Sequence, residues 1–109
     1  FDAYRELVTR FPNSTYASDA NKRLVEIVNV LAMHDVQIAR YYQARGAHVA
    51  ALNRAKQVLE TYQTSSAVEH ALAVMIKAYK EMGLAELGHD AERVLRLNYP
   101  HSSYLPENH

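Results

Sequence analysis

At 109 residues the chain suits one compact domain, and a composition of 49% hydrophobic and 22% charged residues excludes a disordered polymer. Twelve Lys and Arg balance twelve Asp and Glu, so no excess of positive charge exists to hold nucleic acid or an anionic membrane surface. The absence of Cys rules out disulfides, thiolate metal sites and thiol nucleophiles, and no apolar run approaches the roughly 20 residues that cross a bilayer.

The chain opens at Phe1 rather than Met, already inside a helical stripe of Phe1, Tyr4, Leu7, Val8 and Phe11. This predicts a helix over 1–11 and a fragment whose natural start, with any targeting signal, has been removed. Arg10-Phe11-Pro12-Asn13-Ser14 punctuates its end. Ala17, Ala20, Leu24, Ile27 and Leu31 then follow steps of three and four, predicting a helix over 16–33. A helix over 34–45 comes next with no Gly or Pro between, so the two are either one long helix or a pair separated by a kink. Gly46 stands where a left-handed cap would end it. A helix over 48–62 runs to the mark Thr61-Tyr62-Gln63-Thr64-Ser65, and Ser66 with Glu69 forms a capping box for a helix over 67–82. That helix carries the stripe Val68, Leu72, Met75 or Ile76, and Tyr79, and Gly83 closes it. A last helix over 84–98 ends at Asn98-Tyr99-Pro100-His101-Ser102, beyond which residues 101–109 read as a polar tail that frays.

The three marks repeat, with their aromatics Phe11, Tyr62 and Tyr99 lying 51 and 37 residues apart. A shift of 37 pairs Tyr42 with Tyr79, Gly46 with Gly83, Ala51 with Gly88 and Tyr62 with Tyr99. Two helices per 37 residues is close to the period of about 34 in tetratricopeptide repeats. The predicted fold class is therefore all-α, with tetratricopeptide-like helix-turn-helix repeats over 1–100 stacked as a short solenoid. An extra helix inserted into one repeat would account for the longer first interval.

Catalytic chemistry finds no support. None of the six His falls at the i, i+4 spacing that puts two metal ligands on one helix face, and the Ser residues cluster at helix starts, where they cap. There is no nucleophile elbow, Gly-rich phosphate loop or paired catalytic carboxylate, so no enzyme, metal or cofactor is predicted. His34 reads as packed within its helix, and His48, His70 and His89 as surface residues near helix beginnings.

Tyr and Arg are the residue types that anchor interfaces, which makes Arg40, Tyr41, Arg45 and Arg54 the candidate partner-binding residues. Adjacent helical residues point about 100° apart, so Tyr41 and Tyr42 cannot share a face. Tyr42, paired with Tyr79 by the repeat, is the packing residue; Tyr41 is the freer, with intramolecular packing of both as the alternative. Arg54 becomes Ala91 one repeat later, so the architecture does not require it. It is a solvated charge, a salt bridge or a partner contact.

Asp19-Ala20-Asn21-Lys22-Arg23-Leu24, Leu31-Ala32-Met33-His34, Ala39-Arg40-Tyr41-Tyr42, Arg45-Gly46-Ala47, Ala50-Ala51-Leu52-Asn53-Arg54 and Asp90-Ala91-Glu92-Arg93-Val94-Leu95 through Asn98-Tyr99-Pro100 closely resemble the BamD family, also called YfiO or ComL. The resemblance covers nearly all of the chain. It implies a lipid-anchored protein of five tetratricopeptide-like repeats on the periplasmic face of the outer membrane, in the β-barrel assembly (BAM) complex. It further implies that these C-terminal repeats dock the POTRA domain of BamA nearest the barrel, and that BamC and other BAM lipoproteins pack along the scaffold. No nucleic acid and no cofactor are implied, and membrane contact would come only through a lipid anchor absent from this fragment. One departure from the general tetratricopeptide consensus is visible, with Ala55 and Glu92 where a bulky aromatic is preferred. The competing function is a tetratricopeptide module of another periplasmic cell-envelope protein that reads a short peptide tail. A small hydrolase or metal enzyme on a helical scaffold is the third.

Overall fold

The computed structural model describes residues 15–105, so the helix expected over 1–11 and the first Phe-Pro mark lie outside the described residues. Within them are four helices and no strand: α1 Thr15–Ala44, α2 His48–Thr61, α3 Ala67–Glu81 and α4 Ala85–Asn98. Each helix packs on the next, and α1 also packs on α3. Short connections make sequential neighbours antiparallel, so two helical hairpins stack side by side. This is the tetratricopeptide-like arrangement expected from the repeat. No helix here is long and apolar enough to cross a membrane.

The choice left open between one helix and two is settled in favour of one. Ala32, Val36 and Ala39 are fully buried at steps of four and three, so the inward stripe runs on without interruption where a kink could have fallen. At 30 residues α1 is twice as long as α3, with 15. Extra turns of a single helix, and no inserted helix, lengthen the first unit. Those turns bury little, and Val25, Val30 and Leu31 are exposed.

The offset of 37 holds residue by residue, since α1 and α3 end at Ala44 and Glu81 while α2 and α4 span His48–Thr61 and Ala85–Asn98. Gly46 and Gly83 have φ of 78° and 76°, a left-handed conformation that a Cβ disfavours. Behind each glycine the next amide reaches back to the tyrosine that the repeat had paired. Ala47 N–H donates to Tyr42 O at 2.9 Å and Leu84 N–H to Tyr79 O at 2.8 Å. The glycine amides bond Gln43 O and Lys80 O, which completes the same two-bond cap twice.

The connection into α3 corrects the expected capping box. Ser66 has helical φ and ψ and makes no side-chain cap. The cap comes from one residue earlier, where the buried Ser65 hydroxyl accepts from Ala67 N–H at 3.1 Å and donates to Asn29 Oδ1 of α1 at 2.7 Å. A cap needs a residue outside the helix whose oxygen can turn back on the first free amides, and Ser65 alone is so placed.

The segment expected to fray after Pro100 is ordered as far as Leu105, and it copies this turn. Ser102 N–H bonds Tyr99 O as Ser65 N–H bonds Tyr62 O, both at 3.0 Å. Tyr104 N–H bonds Ser102 Oγ as Ala67 N–H bonds Ser65 Oγ. Ser102 and Leu105 are buried, and the apolar side chain of Leu105 anchors the segment together with the hydrogen bonds of Tyr104 to Arg40 and His70.

Candidate docking surface

The four candidate residues lie around the C-terminal turns of α1 and the facing turns of α2. Tyr41 is 55% exposed, and its ring and that of Tyr42 stand edge-to-face with centroids 5.9 Å apart. The Arg45 guanidinium lies over the Tyr41 ring, 4.4 Å from its centroid. Residues four apart share a helix face, so the stack is preformed and stays outside the core while Tyr42 packs against it.

Arg54 donates to Asp35 Oδ1 at 3.2 Å, joining α2 to α1 through an ion pair whose side chains are 33% and 14% exposed. Of the three readings open for Arg54, an intramolecular salt bridge is therefore realised. Asp35 was not singled out in the sequence, although the repeat held a clue. One unit on, Asp35 becomes the buried Leu72 where Arg54 becomes the buried Ala91, so an ionic pair is replaced by an apolar one.

Arg40 does not join Tyr41 and Arg45. Its guanidinium turns toward α3 and donates to the Tyr104 hydroxyl at 2.9 Å, while that hydroxyl lies 2.6 Å from His70 Nδ1. Ten residues separate Asp35 from Arg45, which puts them about 80° apart around α1, whereas Arg40 is about 140° from Asp35. Tyr41 lies about 120° from Asp35 in the opposite sense from Arg40 and faces away from the buried Ala32, Val36 and Ala39, so the Tyr41–Arg45 stack sits on the outer face of α1 while Arg54 bridges the seam between α1 and α2. Arg40 belongs to a groove of about 340 Å³ between α1 and α3, together with Gln43, His70, Lys77, Lys80 and Tyr104. Gln43 Nε2 crosses its floor to Val74 O at 3.1 Å and ties the two helices together.

The remaining histidines are dispersed. His34, expected to be packed, is exposed, because the buried stripe passes through Ala32 and Val36 on either side of it. His89 is exposed as expected, but His48 and His70 are half-buried. Among the described residues no three His, Asp or Glu converge to hold a metal ion. Ala55 is fully buried and Glu92 only partly, so the small residue at the first position lets α2 approach its neighbours closely.

A family model described as outer membrane lipoprotein, YfiO, matches residues 1–97. The outer membrane protein assembly factor BamD of Neisseria gonorrhoeae is 46% identical over 105 residues, which are 96% of this chain and 39% of that protein. The proteins of the same name from Xylella fastidiosa (strain 9a5c) and Vibrio cholerae are 36% and 34% identical, over 96% and 90% of this chain and 36% and 41% of theirs. The chain thus spans well under half the length of these curated relatives.

Proposed function

The chain belongs to the YfiO family of outer membrane lipoproteins, and from that premise we propose that it is a non-catalytic docking scaffold for the assembly of outer membrane proteins. The observation that carries the reading is similarity to proteins named as assembly factors across almost the whole chain. The fold suits the task. Two hairpins stacked at a fixed offset, and capped alike at each turn, hold a surface that needs little ordering when a partner arrives.

In this proposal the partner is the POTRA region of BamA, met on the periplasmic face of the outer membrane, with BamC and other lipoproteins of the complex along the same scaffold. Docking is carried by the Tyr41–Arg45 stack and by Arg54, which keeps a third of its side chain in solvent beside Asp35. Arg54 offers its remaining donors to a partner carboxylate, while Tyr41 contributes a rigid exposed ring. Arg40, turned toward α3 and held by Tyr104, contributes least. A pull-down of the chain with purified POTRA domains tests the reading. Retention is expected, with loss on Tyr41→Ala at unchanged helicity; no retention at micromolar concentrations would overturn it.

A further inference from the structure

The groove between α1 and α3 lies on the Arg40 side of α1, about 140° around the helix from Asp35 and its partner Arg54. Its floor is small and apolar, made by Ala73, Val74 and Ile76. Around it stand Arg40 from α1 and Lys77 and Lys80 from α3, and among the described residues no Asp or Glu lines it. The Arg54–Asp35 and Arg93–Asp90 ion pairs lie elsewhere, and among the described residues no carboxylate pairs with Arg40, Lys77 or Lys80. The Arg40 guanidinium donates to the neutral hydroxyl of Tyr104. In a chain with equal numbers of acidic and basic residues, three cations facing one concavity without a counter-charge focus a positive potential there.

We propose that this groove binds an extended acidic segment of a partner protein. The reading goes beyond scaffold docking and does not depend on it. In an extended chain alternate side chains point to opposite sides, so carboxylates at every second position meet Arg40, Lys77 and Lys80 while the small residues between them rest on the Ala73 floor. The volume of about 340 Å³ stands near the lower limit for ligand pockets, roughly 300 Å³, and accommodates a few residues rather than a folded surface. Tyr104 lies at the rim, held by Arg40 and His70, and frees the Arg40 guanidinium when a carboxylate takes its place. A free phosphate would satisfy the cations but leave the apolar floor uncovered.

Fluorescence anisotropy with a labelled, blocked peptide of alternating Glu and Ala, beside its Gln-Ala counterpart, tests the proposal on the whole chain. The Glu peptide is expected to bind at low salt and to weaken about tenfold as added salt shortens the screening length, with the Gln peptide at least tenfold weaker throughout. Lys77→Glu combined with Lys80→Glu should abolish binding, and the milder Lys77→Gln with Lys80→Gln should weaken it several-fold. Both lysines are exposed, so helicity should persist. Lys22→Glu with Lys56→Glu, exposed and outside the groove, removes the same charge and should leave affinity within twofold. Equal loss in that control pair, equal binding of the Gln peptide, or displacement of the Glu peptide by equimolar inorganic phosphate would each overturn the proposal.

Discussion

Replacing the Asp35–Arg54 ion pair by the residues that occupy the same places one repeat later separates its structural role from its docking role. Arg54→Ala leaves Asp35, only 14% exposed, without its cation, and should cost about 1–3 kcal/mol, the range for stranding a poorly solvated polar group. Asp35→Leu leaves Arg54 with a third of its side chain in water and free to turn outward, so its cost should stay below about 1 kcal/mol. Combined, Asp35→Leu and Arg54→Ala reproduce the Leu72 and Ala91 combination that α3 and α4 already bury. The double variant should therefore fall within about 1 kcal/mol of the parent, because an apolar replacement of comparable fit often equals a buried pair. The cycle then yields a coupling of roughly 1–2 kcal/mol, above that of an exposed pair and below that of a fully buried one. Urea unfolding followed by far-ultraviolet circular dichroism measures all four proteins. Should Arg54→Ala unfold with the parent's midpoint, or should adding Asp35→Leu to it lower stability further, the ion pair does not hold the α1–α2 seam. The double variant also serves the docking proposal, since it folds without Arg54 and should bind POTRA domains more weakly.

Two glycines should respond in opposite senses to one added methyl. Gly88→Ala should raise stability by about 0.5–1 kcal/mol, because Gly88 is helical, its new Cβ would meet Tyr79 Cβ at an ordinary 3.6 Å, and the equivalent Ala51 already carries that methyl. Gly83→Ala meets no atom within 4 Å yet should cost about 1–2 kcal/mol through its φ of 76° alone; thermal unfolding of the two variants checks the contrast. Ser65→Ala removes the cap of α3 and leaves Asn29 without its hydroxyl donor, so a loss of about 1–2 kcal/mol by urea unfolding is expected.

The elements of the fold were legible because periodicity and left-handed glycines act locally. Gly46 and Gly83 marked helix ends that no tertiary contact had to specify, and the offset of 37 aligned the hairpins before any packing was known. Ser65 was missed in favour of Ser66 because the two differ by one position, and only the backbone angles decide which hydroxyl can turn back. The tail was misjudged from its polar composition, although Ser102 and Leu105 are the 37-residue images of Ser65 and Val68. At the candidate site, sequence distinguished Tyr42 from Tyr41 by helix geometry but grouped Arg40 with Arg45 on proximity alone. Proximity in sequence fails there because five residues of helix swing a side chain by about 140°, enough to send Arg40 to α3. Asp35 and Tyr104 came into view only through contacts 19 and 64 residues away along the chain.

The reproduced turn at Ser102 makes the molecule open to lengthening by splicing. Residues 66–102 inserted a second time directly after Ser102 would meet a backbone already aimed as it is at the start of α3, so the added hairpin would inherit its register instead of having to find it. In a linear array each such module brings its own folding free energy together with one new nearest-neighbour interface. Copy number would then act as a dial on thermal resistance, and Ser102 as the joint at which the dial is turned.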